Sequence, residues 1–353
     1  MKTILRLILL LAAAVVVTAC GRSPADSGSR TITLMTHDSF DMSEEVIATF
    51  EAAHNATLVL LPAGDAGAAL NQAILAAENP LADVFFGVDN SFMGRALAAG
   101  IFEPYDSPQL ANLRPELRLD DSNRLLPVDY GDVCLNVDLG WFAARGMTPP
   151  QSLADLTDPA YHGLTVALNP ATSSPGLAFL LATIAAFGES GAYTYRDYWA
   201  DLRANDLLIT DGWSAAYWGH FSAASDGDRP IVVSYASSPA AEVVFADPPI
   251  DAPPTAAVTT AGSCYRQVEF VGILRGTENR ELAEKLVDFM LDLPFQNEIP
   301  LHMFVFPAHS RASLPDVFAR WAAIPAEPAL LEAARVDANR EAWIQAWTEV
   351  VLR

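Results

Sequence analysis

Cysteine is scarce in this chain of 353 residues, which holds three. No Cys-x-x-Cys pair and no Cys/His zinc spacing occurs, so a metal framework is excluded as the basis of the fold. Positive charge is scarce too: 21 Lys and Arg stand against 43 Asp and Glu, a formal net charge of −22. Nucleic acid is excluded as a partner, because phosphates need basic patches. A negative surface instead keeps the molecule soluble and concentrates cationic ligands. Catalytic signatures are missing. There is no Gly-x-Gly-x-x-Gly or Walker loop, no His-Glu-x-x-His and no Gly-x-Ser-x-Gly. Neither a cofactor nor a resident metal is expected. The six histidines are scattered, and no nucleophile–base pair emerges. Asp129 and Asp132 offer a carboxylate pair, but lone Asp pairs in loops usually cap helices or turns. The chain reads as a binder rather than an enzyme.

A membrane-spanning run is also missing. Residues 8–17 form an apolar stretch about as long as a signal-peptide core and too short to cross a bilayer. Lys2 and Arg6 give it a positive start. Val17-Thr18-Ala19-Cys20 then resembles the lipobox of bacterial lipoproteins. That resemblance implies cleavage before Cys20 and a lipid on its sulfur. The mature protein is expected outside the cytoplasmic membrane, in the periplasm or on the membrane's outer face, anchored without spanning. Residues 21–30 are rich in Gly, Ser and Pro, as a flexible tether should be. Loss of Lys2 and Arg6 leaves the mature chain two charges more negative. Cys134 and Cys264 remain. In an exported chain such a pair favours a disulfide, the alternative being two buried reduced thiols.

What the chain does have is alternation. Residues 31–36 are β-prone, and a helix opens near Asp41 or Ser43 with Val46, Ile47 and Phe50 on one face. Residues 57–61 read as a strand, 67–77 as a helix, 83–87 as a short buried strand and 90–99 as a helix ended by Gly100. Such order implies βαβ units and a parallel sheet. Pro149-Pro150 precedes a second α/β region: strand 165–168, loop 169–176, apolar helix 177–187 and strand 230–235. Residues 247–255 carry four prolines and cannot be regular structure. Leu282, Leu286, Phe289 and Met290 mark a helix, and a last helix uses Trp343 and Trp347 as core anchors. The fold class expected is α/β and bilobal, of the type II periplasmic-binding-protein kind. Lobe one takes about 31–130 with 265–315, lobe two 131–264, and helices within 316–353 pack back on the lobes. If the chain crosses between lobes near 131 and returns near 265, Cys134 and Cys264 meet at the hinge.

Ligands of α/β proteins sit at loops after strands. The loops that qualify are 37–40, 64–65, 87–90, 129–131, 172–176, 211–214 and 234–239. Aromatics and carboxylates in successive loops suit a flat organic cation, since an aromatic face attracts a cation by its quadrupole. Thr172-Ser173-Ser174, ahead of the apolar helix, could cradle an anion with hydroxyls, N–H groups and the helix dipole. A plain helix cap explains those residues as well.

The residues in order then resemble the thiamine-binding component of bacterial ABC importers. The resemblance runs through Asp38-Ser39-Phe40, Gly87-Val88-Asp89-Asn90, Pro127-Val128-Asp129-Tyr130-Gly131, Ser173-Ser174-Pro175-Gly176 and Gly212-Trp213-Ser214-Ala215-Ala216-Tyr217. It continues through Ser234-Tyr235-Ala236-Ser237-Ser238-Pro239-Ala240, Gln267-Val268-Glu269 and Phe295-Gln296-Asn297-Glu298-Ile299-Pro300, and ends at Arg340–Trp347. It implies an interlobe cleft that takes thiamine or a thiamine phosphate and hands it to a membrane permease. It places Trp213 and Tyr235 beside the ligand and Asp65 near an acidic cleft residue. Asp38, Asp89, Ser173 and Ser174 are further candidates. His37 stands where the family has Tyr, Ala241 where it has Tyr, and Phe304 where it has Trp. A family Trp has no counterpart in polar residues 41–44. These smaller walls also admit a pyrimidine precursor or another small cation. Related carriers of ferric iron place adjacent tyrosines where this chain has Tyr235 alone, and a lone phenolate cannot dominate a hard cation site. The protein is expected to act as a monomer. If His37 faces the cleft, its protonation should weaken cation binding as pH falls through about 6.5.

Overall fold

The structure, a computed structural model, describes residues 30–353. The expected signal segment, Cys20 and residues 21–29 of the expected tether lie outside the described residues. Arg30, expected as the end of the tether, opens the first strand. The strands are β1 (Arg30–Thr36), β2 (Ala56–Pro62), β3 (Val84–Asp89), β4 (Phe102–Glu103), β5 (Leu126–Asp138) and β6 (Thr165–Leu168). They continue as β7 (Leu208–Thr210), β8 (Ile231–Tyr235), β9 (Thr255–Val258), β10 (Tyr265–Leu274) and β11 (Phe306–Pro307). Among the described residues they share one curled sheet with main order β2-β1-β3-β10-β5-β8-β6-β7.

Two α/β lobes divide this sheet. β1 pairs in parallel with β2 and β3, and β6 in parallel with β7 and β8. The centre departs from the all-parallel expectation. β10 runs antiparallel to β3 and β5, and β5 antiparallel to β8. β5 is the seam. Its first half pairs with β10 through Val133, and Val133–Val137 pair with β8. Every residue of β5 is buried, polar ones included. Asp129-Tyr130-Gly131, expected as a loop, therefore lies inside a strand. Asp129 and Asp132 cap nothing: Asp132 takes the Arg266 guanidinium at 2.7 and 2.9 Å.

Cys134, in β5, is bonded to Cys264, which immediately precedes β10, with their Cα atoms 4.4 Å apart. The two segments run side by side, as the hinge argument requires, because Tyr265 is in register with Val133.

Local chemistry sets the helix ends. The helix Glu44–His54 starts after Ser43, whose hydroxyl accepts the Val46 N–H. The helix Ser174–Phe187 opens earlier than its apolar run suggests. Ser173 caps it, and Pro175 fits the first turn, where no amide is needed. All of Ser174–Ile184 is buried, which explains a helix apolar all round. The helix expected at 90–99 begins only at Met93, because Asp89 holds the preceding turn by accepting the Ser91 and Phe92 N–H groups. In the last helix, Ala333–Val351, Trp343 and Trp347 are buried. Trp347 meets Trp199 edge to face at 5.6 Å. No helix among the described residues is long and apolar enough to cross a membrane.

Candidate ligand-binding cleft

Between the lobes lies a cavity of about 410 Å³. One wall comes from the helix Trp213–Gly219. The half-buried Trp213 ring stacks on Tyr217 at 4.9 Å, and its Nε1 donates to Ser234 Oγ at 2.9 Å. Tyr235, at the end of β8, packs over Gly131 of β5. A Cβ there would meet the Tyr235 ring at 2.8 Å, so only glycine leaves the ring its place. The Tyr235 hydroxyl reaches Gln267 Oε1 at 3.3 Å.

Lobe one supplies the opposite wall, the loop after β1. His37, Asp38, Ser39 and Phe40 all line the cavity. Gly87 of β3 has φ +112°, and a Cβ there would lie 2.7 Å from the His37 ring. Ser39 Oγ meets Ser214 Oγ of the other lobe at 3.1 Å. Phe304, with φ +54°, turns its ring to Phe245 of lobe two at 5.2 Å.

Asp65 ties the lobes together. It caps the helix Ala66–Leu75 and accepts the Ala66 N–H. The same carboxylate accepts two N–H groups from lobe two, Trp213 at 2.9 Å and Ser174 at 3.2 Å. Burial outweighs these donors and pushes Asp65 up to about 6. Asp38, Asp41, Asp65 and Glu269 line the cavity, and no Lys or Arg does among the described residues.

Two expected site residues are drawn out of the cavity. Asp89 is fully buried beneath it, bonded by Ser91, Phe92 and the Ser174 hydroxyl. Ser173 is fully buried as a cap, accepting the Gly176 N–H. The anion cradle expected at 172–174 is likewise spent inside the protein. Thr172 donates to the Asp211 carbonyl, Ser174 donates to Asp89, and the Asp65 carboxylate occupies the Ser174 N–H. The remaining candidates, Trp213, Tyr235, Asp65, His37, Asp38, Ser174 and Phe304, share the cavity. Sequence reasoning missed Glu269, Gln267, Tyr217, Trp218, Phe245, His302 and Met303 as lining residues. Trp218 directly follows the run 212–217 on the same helix, and Phe245 caps the helix that starts in the run 234–240, so reading both runs on to their helix ends would have reached them.

His37 corrects the expected pH response. Burial holds its ring down to about 4, so it stays neutral across the neutral range. Asp65 is the cleft group that titrates near 6. Its ionised form favours a cation, so its contribution to cation affinity falls as pH drops through about 6. Binding curves between about pH 5 and 8 should bend near 6 in the native protein and lose that bend in Asp65→Asn, while the slope contributed by proton release from other buried acids remains. A bend that survives Asp65→Asn but vanishes in His37→Gln would reverse the assignment.

Two lobes joined by paired strands around a ligand-sized cleft define a bilobal binding protein for a small molecule. The chain belongs to the bacterial extracellular solute-binding protein family, which matches residues 79–323. It is 30% identical over 326 residues to the thiamine-binding periplasmic protein of Escherichia coli K12, covering 91% of this chain and 94% of that one. It is also 30% identical over 348 residues to the protein of that name from Brucella suis, covering 94% and 96%. A solved periplasmic thiamin binding protein superposes with a TM-score of 0.81 at 30% identity, over 92% of this chain and 97% of that one. A ferric binding protein from Campylobacter jejuni gives 0.70 at 13% identity, over 90% and 99%, a likeness of fold alone. The protein is thus the extracytoplasmic substrate-binding component of an ABC importer, and it binds its solute without catalysis.

Proposed function

We propose that the protein captures unphosphorylated thiamine and delivers it to its permease, working as a monomer held to the membrane by lipid on Cys20. The observation that carries this reading is the lining: Trp213, Tyr235 and Phe304 beside four carboxyl groups, with no Lys or Arg among the described residues. Aromatic faces and carboxylates attract a flat cation. The names of the relatives at 30% identity support the same ligand. A phosphate would approach the Ser174 helix end against the Asp65 carboxylate already seated there. A neutral pyrimidine would leave the acids without a counter-charge. Ferric iron is disfavoured because the described residues contain no group of three or more His, Cys, Asp or Glu able to hold a metal.

Calorimetry on the soluble form tests the proposal. Thiamine is expected to bind one to one and more tightly than its mono- or diphosphate. No heat with thiamine, or tighter binding of the diphosphate, would overturn it.

A further inference from the structure

Three carboxyl groups stand in a row beneath the cleft. Glu269 of β10 is in register with Asp89 of β3 on one side and Asp129 of β5 on the other. Directly opposed residues in neighbouring strands share a sheet face, and like charges there repel. Asp89 and Asp129 are fully buried and Glu269 is 7% exposed. Asp89 satisfies its oxygens with Ser91, Phe92 and Ser174. Asp129 is different: neither oxygen meets a donor. The neighbouring Glu269 carboxyl can serve as one only while it holds a proton. Glu269 is the member of the trio that lines the cavity.

Other groups around the trio leave that proton in place. From the loop after β1, His37 Nε2 lies 3.5 Å from Glu269 Oε1, with its ring neutral. From β8 comes the neutral Tyr235 phenol, and from β10 the uncharged Gln267. The charged groups acting on Glu269 are Asp129, Asp89 and Asp65. Arg266 is paired with Asp132, and Arg340, paired with Glu341, acts electrostatically on Asp89 rather than on Glu269.

We infer that Glu269 reads the charge of the ligand: a cation seated against it displaces a proton shared with Asp129, and that proton leaves to solvent. The ligand brings one positive charge and the proton removes one, so the buried net charge is unchanged. A neutral ligand of the same shape cannot make this exchange, which makes Glu269 a specificity-determining residue. Burial and the adjacent acids push Asp129 up to about 8 and hold Glu269 well above the usual carboxylate range. The inference rests on the cationic-ligand reading above.

The test is calorimetry with thiamine at pH 7.5 in buffers of different ionisation enthalpy, with infrared spectra of the empty protein alongside. The native protein should release about one proton per thiamine bound. Glu269→Gln should release almost none and bind at least about tenfold more weakly, whereas Asp65→Asn should still release it. The empty protein should show the carbonyl band of a protonated carboxyl group, reduced in Glu269→Gln. Thiamine that binds with no proton release, or release that persists in Glu269→Gln, overturns the inference and leaves the thiamine reading intact. If thiamine does not bind at all, that reading fails and the infrared band decides: its presence supports the shared proton, and its absence refutes it.

Discussion

Reducing the Cys134–Cys264 bond is expected to lower the free energy of unfolding by about 3–5 kcal/mol. The bond closes a loop with a sequence separation of 130. In the chain-entropy account, a loop of that length gives roughly 5 kcal/mol as an upper figure, because the cross-link restricts the unfolded chain. The native state should change little, since β5 and β10 are already hydrogen-bonded beside the bond. Both sulfurs are fully buried, so reductant must wait for local opening. Urea unfolding of oxidised protein, reduced protein and the Cys134→Ala/Cys264→Ala double variant measures the effect. Superimposable curves would show that the bond adds nothing. Neither cysteine lines the cavity, so ligand affinity should be nearly the same in all three, and a large loss would mean that the bond shapes the cleft.

The paired strands beside this bond are also the part of the fold least legible in the sequence. β1, β6 and β8 stand out as short apolar or alternating runs, and the structure has them within a residue of the expected bounds. β5 and β10 do not. β5 carries Asp129, Asp132 and Asn136 amid apolar residues, and β10 carries Gln267 and Glu269. Polar residues buried on a two-sided strand break every periodicity that a single sequence displays, because what tolerates them is a partner from a distant segment. Arg266 for Asp132 and the Tyr235 carbonyl for Asn136 are such partners. The cleft divides in the same way. Trp213, Tyr235 and Asp65 lie at loop ends and can be read as candidates without coordinates. Glu269 sits mid-strand, and only the register of three strands brings it under the cavity. Asp89 and Ser173 err in the opposite direction. They adjoin cleft loops in sequence, yet the turns they hold direct them inward.

Truncating Trp213 to alanine is expected to weaken thiamine binding by about 1–3 kcal/mol, roughly 5- to 150-fold in Kd. Three contacts fix the ring before any ligand arrives. Tyr217 backs it face to face at 4.9 Å, Ser234 takes its Nε1 at 2.9 Å, and Asp65 takes its backbone N–H at 2.9 Å. A ring held this way loses little side-chain freedom when a ligand stacks on it, so most of the contact energy reaches the affinity. Alanine keeps the backbone N–H bond to Asp65 and the start of the helix, so the loss should come from the missing face rather than from an open hinge. Calorimetry with thiamine reads the change, and thermal unfolding checks that the variant folds. Trp213→Phe should recover much of the loss, since it restores an aromatic face without the Ser234 bond. A Kd unchanged in a folded Trp213→Ala would take this residue out of the site and move the search for the stacking wall to Tyr235, Trp218 and Phe304.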